Sequence, residues 1–229
     1  MASVDPYQYW ESSTIAEWKR SDEYHNSFLI PEDKVLAGVR KNNVDKGLPD
    51  IAVSVAQGKL LHLYARSIGA KRVLEVGTLG GYSTIWLARG LPADGKLISL
   101  ELSSHHAEVA RENVHTAGLS DKVEIIVGSA TESLKSLATT FDLVFIDADK
   151  VENVIYYNEA KRLVRKGGVI IIDNVVWGAS VAFPEFSDPA IEGIRSLLKA
   201  MKDDPDVDAT TIATVGERGL DGFIYAVRN

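Results

Sequence analysis

The 229-residue sequence contains no cysteine. Disulfides, thiolate metal sites and cysteine nucleophiles are thereby excluded together, and the composition suits a reducing compartment. Apolar runs of membrane-spanning length are also missing. Residues 1–10 carry Asp5 and lack the apolar stretch of a secretory signal, so the expected location is cytoplasmic. Positive charge is in the minority, with 25 Lys and Arg against 32 Asp and Glu and a formal net charge of −7. Nucleic acid demands a basic face. Neither a nucleic-acid nor a membrane partner is therefore expected. No Ser or Cys sits in an elbow motif to form a triad with a histidine. His25, His62 and His115 read as structural, and His105 and His106 as surface residues of a helix start.

What remains is an ordinary globular composition, 45% apolar and 25% charged, with enough chain to bury one large core. From about Arg72 onward, short apolar runs alternate with segments of helical spacing. The runs cover residues 73–77, 96–102, 122–128, 141–147 and 169–173. Their centres (VLEV, LISL, VEIIV, LVFI, VIII) are almost continuously aliphatic, as in strands covered on both faces. Helical spacing over residues 82–89, 104–117, 131–137 and 151–164 separates them, and Ser129–Glu132 has the form of a capping box. Strand–helix alternation predicts right-handed crossovers and a doubly wound, mostly parallel sheet. Upstream, helices are predicted over 34–44 and 53–68, parted at Gly47-Leu48-Pro49. Downstream come a helix over 189–201 and two strand-like runs, 209–215 and 222–227, which would pair as an antiparallel edge. The expectation is a seven-stranded α/β fold in a single domain. Residues 1–50 would form a helical extension and residues 51–229 the binding core.

In such sheets ligands bind beyond the carboxyl ends of the strands. The unusual polar residues of this sequence fall there. The first strand runs into Glu75-Val76-Gly77-Thr78-Leu79-Gly80-Gly81-Tyr82-Ser83. Glycines let a ligand approach backbone N–H groups, and the helix N-terminus that follows favours an anionic group. Close helix–strand packing would also select glycine. Glu101 lies 20 residues after Gly81, where a strand-end acid accepts hydrogen bonds from a ribose. The glycine order does not satisfy G-x-G-x-x-G, and Glu75 precedes the first glycine, where an ammonium group needs a carboxylate. S-adenosylmethionine therefore fits better than a dinucleotide. Asp147 and Asp173 end two further strands, with Asn174 next. An oxygen-only set suits a hard cation, Mg²⁺ first, with Mn²⁺ or Ca²⁺ as alternatives. Helix capping explains such aspartates equally well from position alone. Lys150, three residues past Asp147, reads as a solvated lysine or as a base beside the metal.

The segments AQGKLL (56–61), VLEVGTLGGYSTIWLA (73–88), FDLVFIDADK (141–150) and GGVIIIDNVVWGASV (167–181) resemble the cation-dependent class I S-adenosylmethionine O-methyltransferases. That group includes catechol and caffeoyl-CoA O-methyltransferases, and the likeness is to its bacterial and fungal members. It runs from about Val53 to the C-terminus. The resemblance implies a Rossmann-like methyltransferase fold, a homodimer and a small aromatic diol as acceptor. It places Glu75, Gly77, Thr78 and Ser83 at the methionine end of the cofactor with Val53 alongside, Glu101 at the ribose and Ala130 at the adenine. It makes Asp147, Asp173 and Asn174 cation ligands, with Asp147 also near the cofactor, and Lys150 the catalytic lysine. Trp177 is a candidate substrate wall, and Glu217, Arg218 and Asp221 are weaker candidates near it. Tyr7, Tyr9, Trp10 and Trp18 would cover a substrate or, more in keeping with their position, pack against a partner subunit. Two readings from other classes stand beside this one: a nicotinamide-dependent oxidoreductase, and a non-catalytic cofactor-binding protein.

Overall fold

The computed structural model of the chain describes residues 13–229. Tyr7, Tyr9 and Trp10 lie outside the described residues. Helix α1 (Ile15–Leu29) opens with a capping box: the Thr14 hydroxyl accepts from Glu17 N, and the Glu17 carboxylate accepts from Thr14 N. Helix α2 (Lys34–Asp45) is capped by Asp33, and α3 (Val55–Ser67) by Ser54. The predicted start of α3 at Val53 is thus two residues early, because Ser54 stays extended to cap Gln57 N.

Seven strands then build one sheet: β1 (Arg72–Val76), β2 (Lys96–Glu101), β3 (Val123–Val127), β4 (Phe141–Ile146), β5 (Val164–Ile172), β6 (Val207–Gly216) and β7 (Gly219–Arg228). The spatial order is β3-β2-β1-β4-β5-β7-β6. The first five strands are parallel and β7 is antiparallel to β5. Helices α4 (Tyr82–Gly90), α5 (Ser104–Thr116), α6 (Ala130–Ser136), α7 (Asn153–Leu163) and α8 (Pro189–Met201) complete the chain. This is the expected mixed, doubly wound sheet with its antiparallel C-terminal edge. None of its helices is long and apolar enough to cross a membrane, among the described residues.

Strand alternation sorts the core into two layers. Val73, Leu143, Phe145 and Ile171 face α2, α3 and α4 through Leu36, Leu61, Ile85 and Leu87. Leu74, Val76, Val144, Ile170 and Ile172 face α6, α7 and α8 through Leu134, Tyr157, Ile194 and Leu197. Strand order reverses between β1 and β4, which makes their carboxyl ends the ligand crevice.

Three local expectations give way. Strand β5 begins at Val164, where α7 ends, and five steps along β5 match two along β4, from Phe141↔Val164 to Leu143↔Val169. Its start carries Arg165, Lys166 and two glycines, so apolar pattern did not mark it. Pairing of β6 with β7 continues to Gly216↔Gly219, which shortens the expected six-residue connection to Glu217-Arg218. Gly219 takes φ +91, a turn conformation that glycine adopts without strain. The capping box at Ser129 does not form. Its hydroxyl pairs with that of Thr131, and Glu132 pairs with Lys135.

Candidate active site

Gly77 shows why the crevice forms. Its φ is +98, and a Cβ there would collide with the carbonyl oxygen of Asp147. Only glycine lets the β1 turn pass so close to the end of β4. Gly81 (φ +80) follows as the N-cap of α4. Across the turn, Glu101 Oε2 accepts from Thr78 N (3.2 Å) and Leu79 N (2.8 Å), while Oε1 accepts from Ser103 N (2.9 Å). The strand-end acid of β2 therefore holds the glycine turn in shape as well as facing the crevice.

A cavity of about 770 Å³ opens along these strand ends. Val53, Gly77, Thr78, Ser83, Glu101 and Ala130 line one part of it, and Asp147, Lys150, Asn174 and Trp177 another. Residues predicted separately from five strand ends are thus brought to one space. Lys150 sits in a 3-10 turn (Lys150–Glu152) against α8, where a Cβ on Gly193 would collide with the Lys150 carbonyl. Its side chain is 7% exposed, and Nζ lies 3.2 Å from Asp147 Oδ1. Asp173, next to Asn174 in the chain, does not line the cavity and is 3% exposed. Burial, and then the charge of Asp147, hold its carboxyl well above the usual carboxylate range, while Lys150 and the Asn174 N–H pull it back.

Further expected positions stand outside the cavity lining. Glu75 lies behind the cavity wall and is fully buried. It faces the α4 layer beside its cross-strand neighbour Ser99. Ser83, Thr84 and Ser99 donate hydroxyls to its carboxylate at 2.6, 2.5 and 2.6 Å. Burial nevertheless raises its pKa to about 7. Arg218 does not line the cavity. At the tip of the β6–β7 hairpin it grips Asp50, through the backbone oxygen (3.1 Å) and Oδ1 (2.9 Å). Glu217 likewise turns to Arg40 (2.7 Å) and Val55 N (3.1 Å). Trp18 is 44% exposed on α1 and donates to the Ser13 hydroxyl.

Other lining residues carried no prior assignment. Pro49, Ile51 and Ala52 come from the α2–α3 connection, so Pro49 at the end of the N-terminal extension helps to wall the site. Its Gly-Leu-Pro break signalled a loop but not where it would lie. His106 lines the cavity with Nδ1 3.5 Å from Glu101 Oε1. In the sequence it reads as a surface residue of a helix start; its place in the first helical turn after a strand-end acid is the signal that could have found it. Tyr156 also lines the cavity, its hydroxyl pushed up to about 12 by burial and then by Asp149 and Glu152. Periodicity could not choose it over Tyr157, since both are buried.

All-oxygen chemistry makes Asp147, Asp173 and Asn174 a fitting donor set for a hard cation. Two carboxylates crowded together with one lysine as the nearby positive charge are relieved by a further cation. Among the described residues no three Asp, Glu or His side chains converge, so the Asn174 amide oxygen would be the third protein donor.

Comparisons with known proteins give the family. Residues 25–226 match the family model described as O-methyltransferase, which carries the likeness well upstream of Val53. The catechol O-methyltransferase of Mycobacterium tuberculosis is 48% identical over 207 residues, 90% of this chain and 94% of that protein. That of Niastella koreensis is 41% identical over 210 residues, 90% of this chain and 95% of the other. The crystal structure of an O-methyltransferase from Bacillus cereus in complex with SAH superposes with a TM-score of 0.92 at 44% identity, covering 94% of this chain and 100% of that one.

Proposed function

The chain belongs to the O-methyltransferase family, and on that premise we propose that it moves the methyl group of S-adenosylmethionine to one oxygen of a vicinal aromatic diol, assisted by a divalent cation. The observation that carries this reading is one cavity joining the glycine turn to the Asp147, Lys150 and Asn174 cluster. The names of the mycobacterial and Niastella relatives support a catechol acceptor, and the ligand of the Bacillus structure supports the cofactor.

Each residue has a part in this scheme. Ser83, Thr78 and Gly77 hold the methionine end, and Glu75 acts through Ser83 by fixing its hydroxyl. Glu101 and His106 flank the ribose, and Ala130 meets the adenine. Asp147, Asp173 and Asn174 hold the cation, Mg²⁺ by preference. When bound, it supplies positive charge that favours the ionised diol. Trp177 walls the aromatic ring. Lys150, an ammonium in its 3.2 Å pair with Asp147, would first give a proton to solvent, and the resulting amine would then take up the hydroxyl proton. The acceptor oxygen then attacks in line: its bond to the methyl carbon forms as the carbon–sulfur bond breaks, and the electron pair leaves with S-adenosylhomocysteine. The protein contributes positioning and charge, without a covalent enzyme intermediate.

Chelation tests the reading. Enzyme dialysed against EDTA is expected to lose methylation of 3,4-dihydroxybenzoate, read by mass spectrometry, and to recover it with Mg²⁺ or Mn²⁺. Full activity after chelation would remove the cation from the mechanism while leaving the methyl transfer.

A further inference from the structure

Beyond Ile172 at the end of β5, the backbone takes an unusual course. Asn174, Trp177 and Ala179 have φ of 54°, 53° and 70°, and Gly178 has 62°. Left-handed conformations cost non-glycine residues about 1–2 kcal/mol each, so the surroundings must hold them. Backbone bonds supply part of the hold: Val175 N to Gly222 O (3.0 Å) and Gly178 N to Leu220 O (3.1 Å). The rest comes from the carboxylate of Asp221 on β7. Its Oδ1 accepts from Val176 N (3.3 Å), Trp177 N (2.9 Å) and Gly222 N (2.8 Å), and its Oδ2 from Asn174 Nδ2 (3.1 Å).

An ionised carboxylate only accepts. The face that Asn174 turns to Asp221 must therefore be its NH₂ group, and the amide oxygen is left on the other side. That oxygen has no protein donor among the described residues, on a residue that lines the cavity. We propose that Asp221 is a positioning residue that fixes the Asn174 amide with its oxygen toward the cavity, ready to ligate a hard cation. This rests on the cation reading above. Turned round, the amide would present two N–H groups and repel a cation. The same carboxylate holds the backbone of Trp177, so one side chain sets both the third ligand and the aromatic wall.

The test exploits the shape of the carboxylate. Asp221→Asn keeps one acceptor for the three backbone N–H groups but places NH₂ opposite the NH₂ of Asn174, which must then turn its oxygen inward. Mn²⁺ affinity, measured by electron paramagnetic resonance without cofactor or acceptor, is expected to fall at least about tenfold, the range seen when groups behind metal ligands are lost. The double variant Asp221→Asn/Asn174→Asp restores an acceptor toward the new amide and an oxygen toward the cavity, and should recover most of the wild-type affinity. A loss repaired in this way distinguishes positioning from general damage, and the double variant can be read even where the single one melts early. Wild-type affinity in Asp221→Asn would overturn the proposal and leave the cation reading intact. A loss that the double variant does not repair would also overturn it. A wild-type protein that binds no Mn²⁺ would overturn the cation reading and this inference with it.

Discussion

Glu75 illustrates what burial does to one residue. Strand alternation points it into the α4 layer, and register sets Ser99 beside it. Three hydroxyls then satisfy the carboxylate without neutralising it, so desolvation wins and its pKa rises to about 7 from 4.5. An acid whose folded pKa exceeds its unfolded one favours the fold while protonated. That contribution is complete below about pH 4.5 and is lost as pH rises through about 7. The shift corresponds to at most about 3 kcal/mol. Without cofactor or cation, Glu75→Gln is therefore expected to gain stability over wild type as pH rises from 5 to 8, read by urea denaturation. A difference that stays flat across that range would show that the three hydroxyls fully compensate the burial.

Among the elements, the α2–α3 connection is the one whose role changes most between sequence and structure. Sequence marks it as a break, yet Pro49, Ile51, Ala52 and Val53 wall the cavity. The far end of the chain holds it there. Arg40, stacked 4.6 Å over the Tyr82 ring, reaches the Val53 carbonyl and Glu217, and Arg218 clasps Asp50. The clasp is exposed, and exposed ion pairs contribute about 0–1 kcal/mol. Arg218→Ala should therefore barely move the melting temperature while raising the acceptor KM more than it lowers kcat, because the wall loosens while Lys150 stays in place. A fall in kcat with KM unchanged would disconnect the hairpin tip from the wall.

For the whole molecule, the crevice at the switch between β1 and β4 is a property of strand order, shared by folds that bind different nucleosides. Cofactor choice rests on the glycine turn. S-adenosylmethionine at one hundred times its dissociation constant should stabilise the protein by about 2.7 kcal/mol, or roughly 2–4 °C in melting temperature for each kcal/mol in a chain of this size. NADH and NADPH should give no shift. A shift with a nicotinamide cofactor and none with S-adenosylmethionine would reverse the assignment.

Sequence alone determined the strands and their one-sided polar ends, because aliphatic runs, glycine turns and strand-end acids are local signals. The five parallel strands, the antiparallel edge and the strand-end residues Glu101, Asp147, Lys150 and Asn174 were legible for that reason, whereas Thr78 and Ser83 were placed at the site by the family resemblance. Tertiary structure decided which polar groups face the cavity and which stand behind it. Glu75 and Ser83 are eight residues apart in one motif, but only Ser83 reaches the cavity, since strand alternation and helix packing turn Glu75 away. Asp221 and Asn174 are separated by 47 residues and meet only because β7 lies antiparallel to β5. Orientation of a side chain depends on neighbours that are distant in sequence, and those neighbours are chosen by the packing of the whole chain.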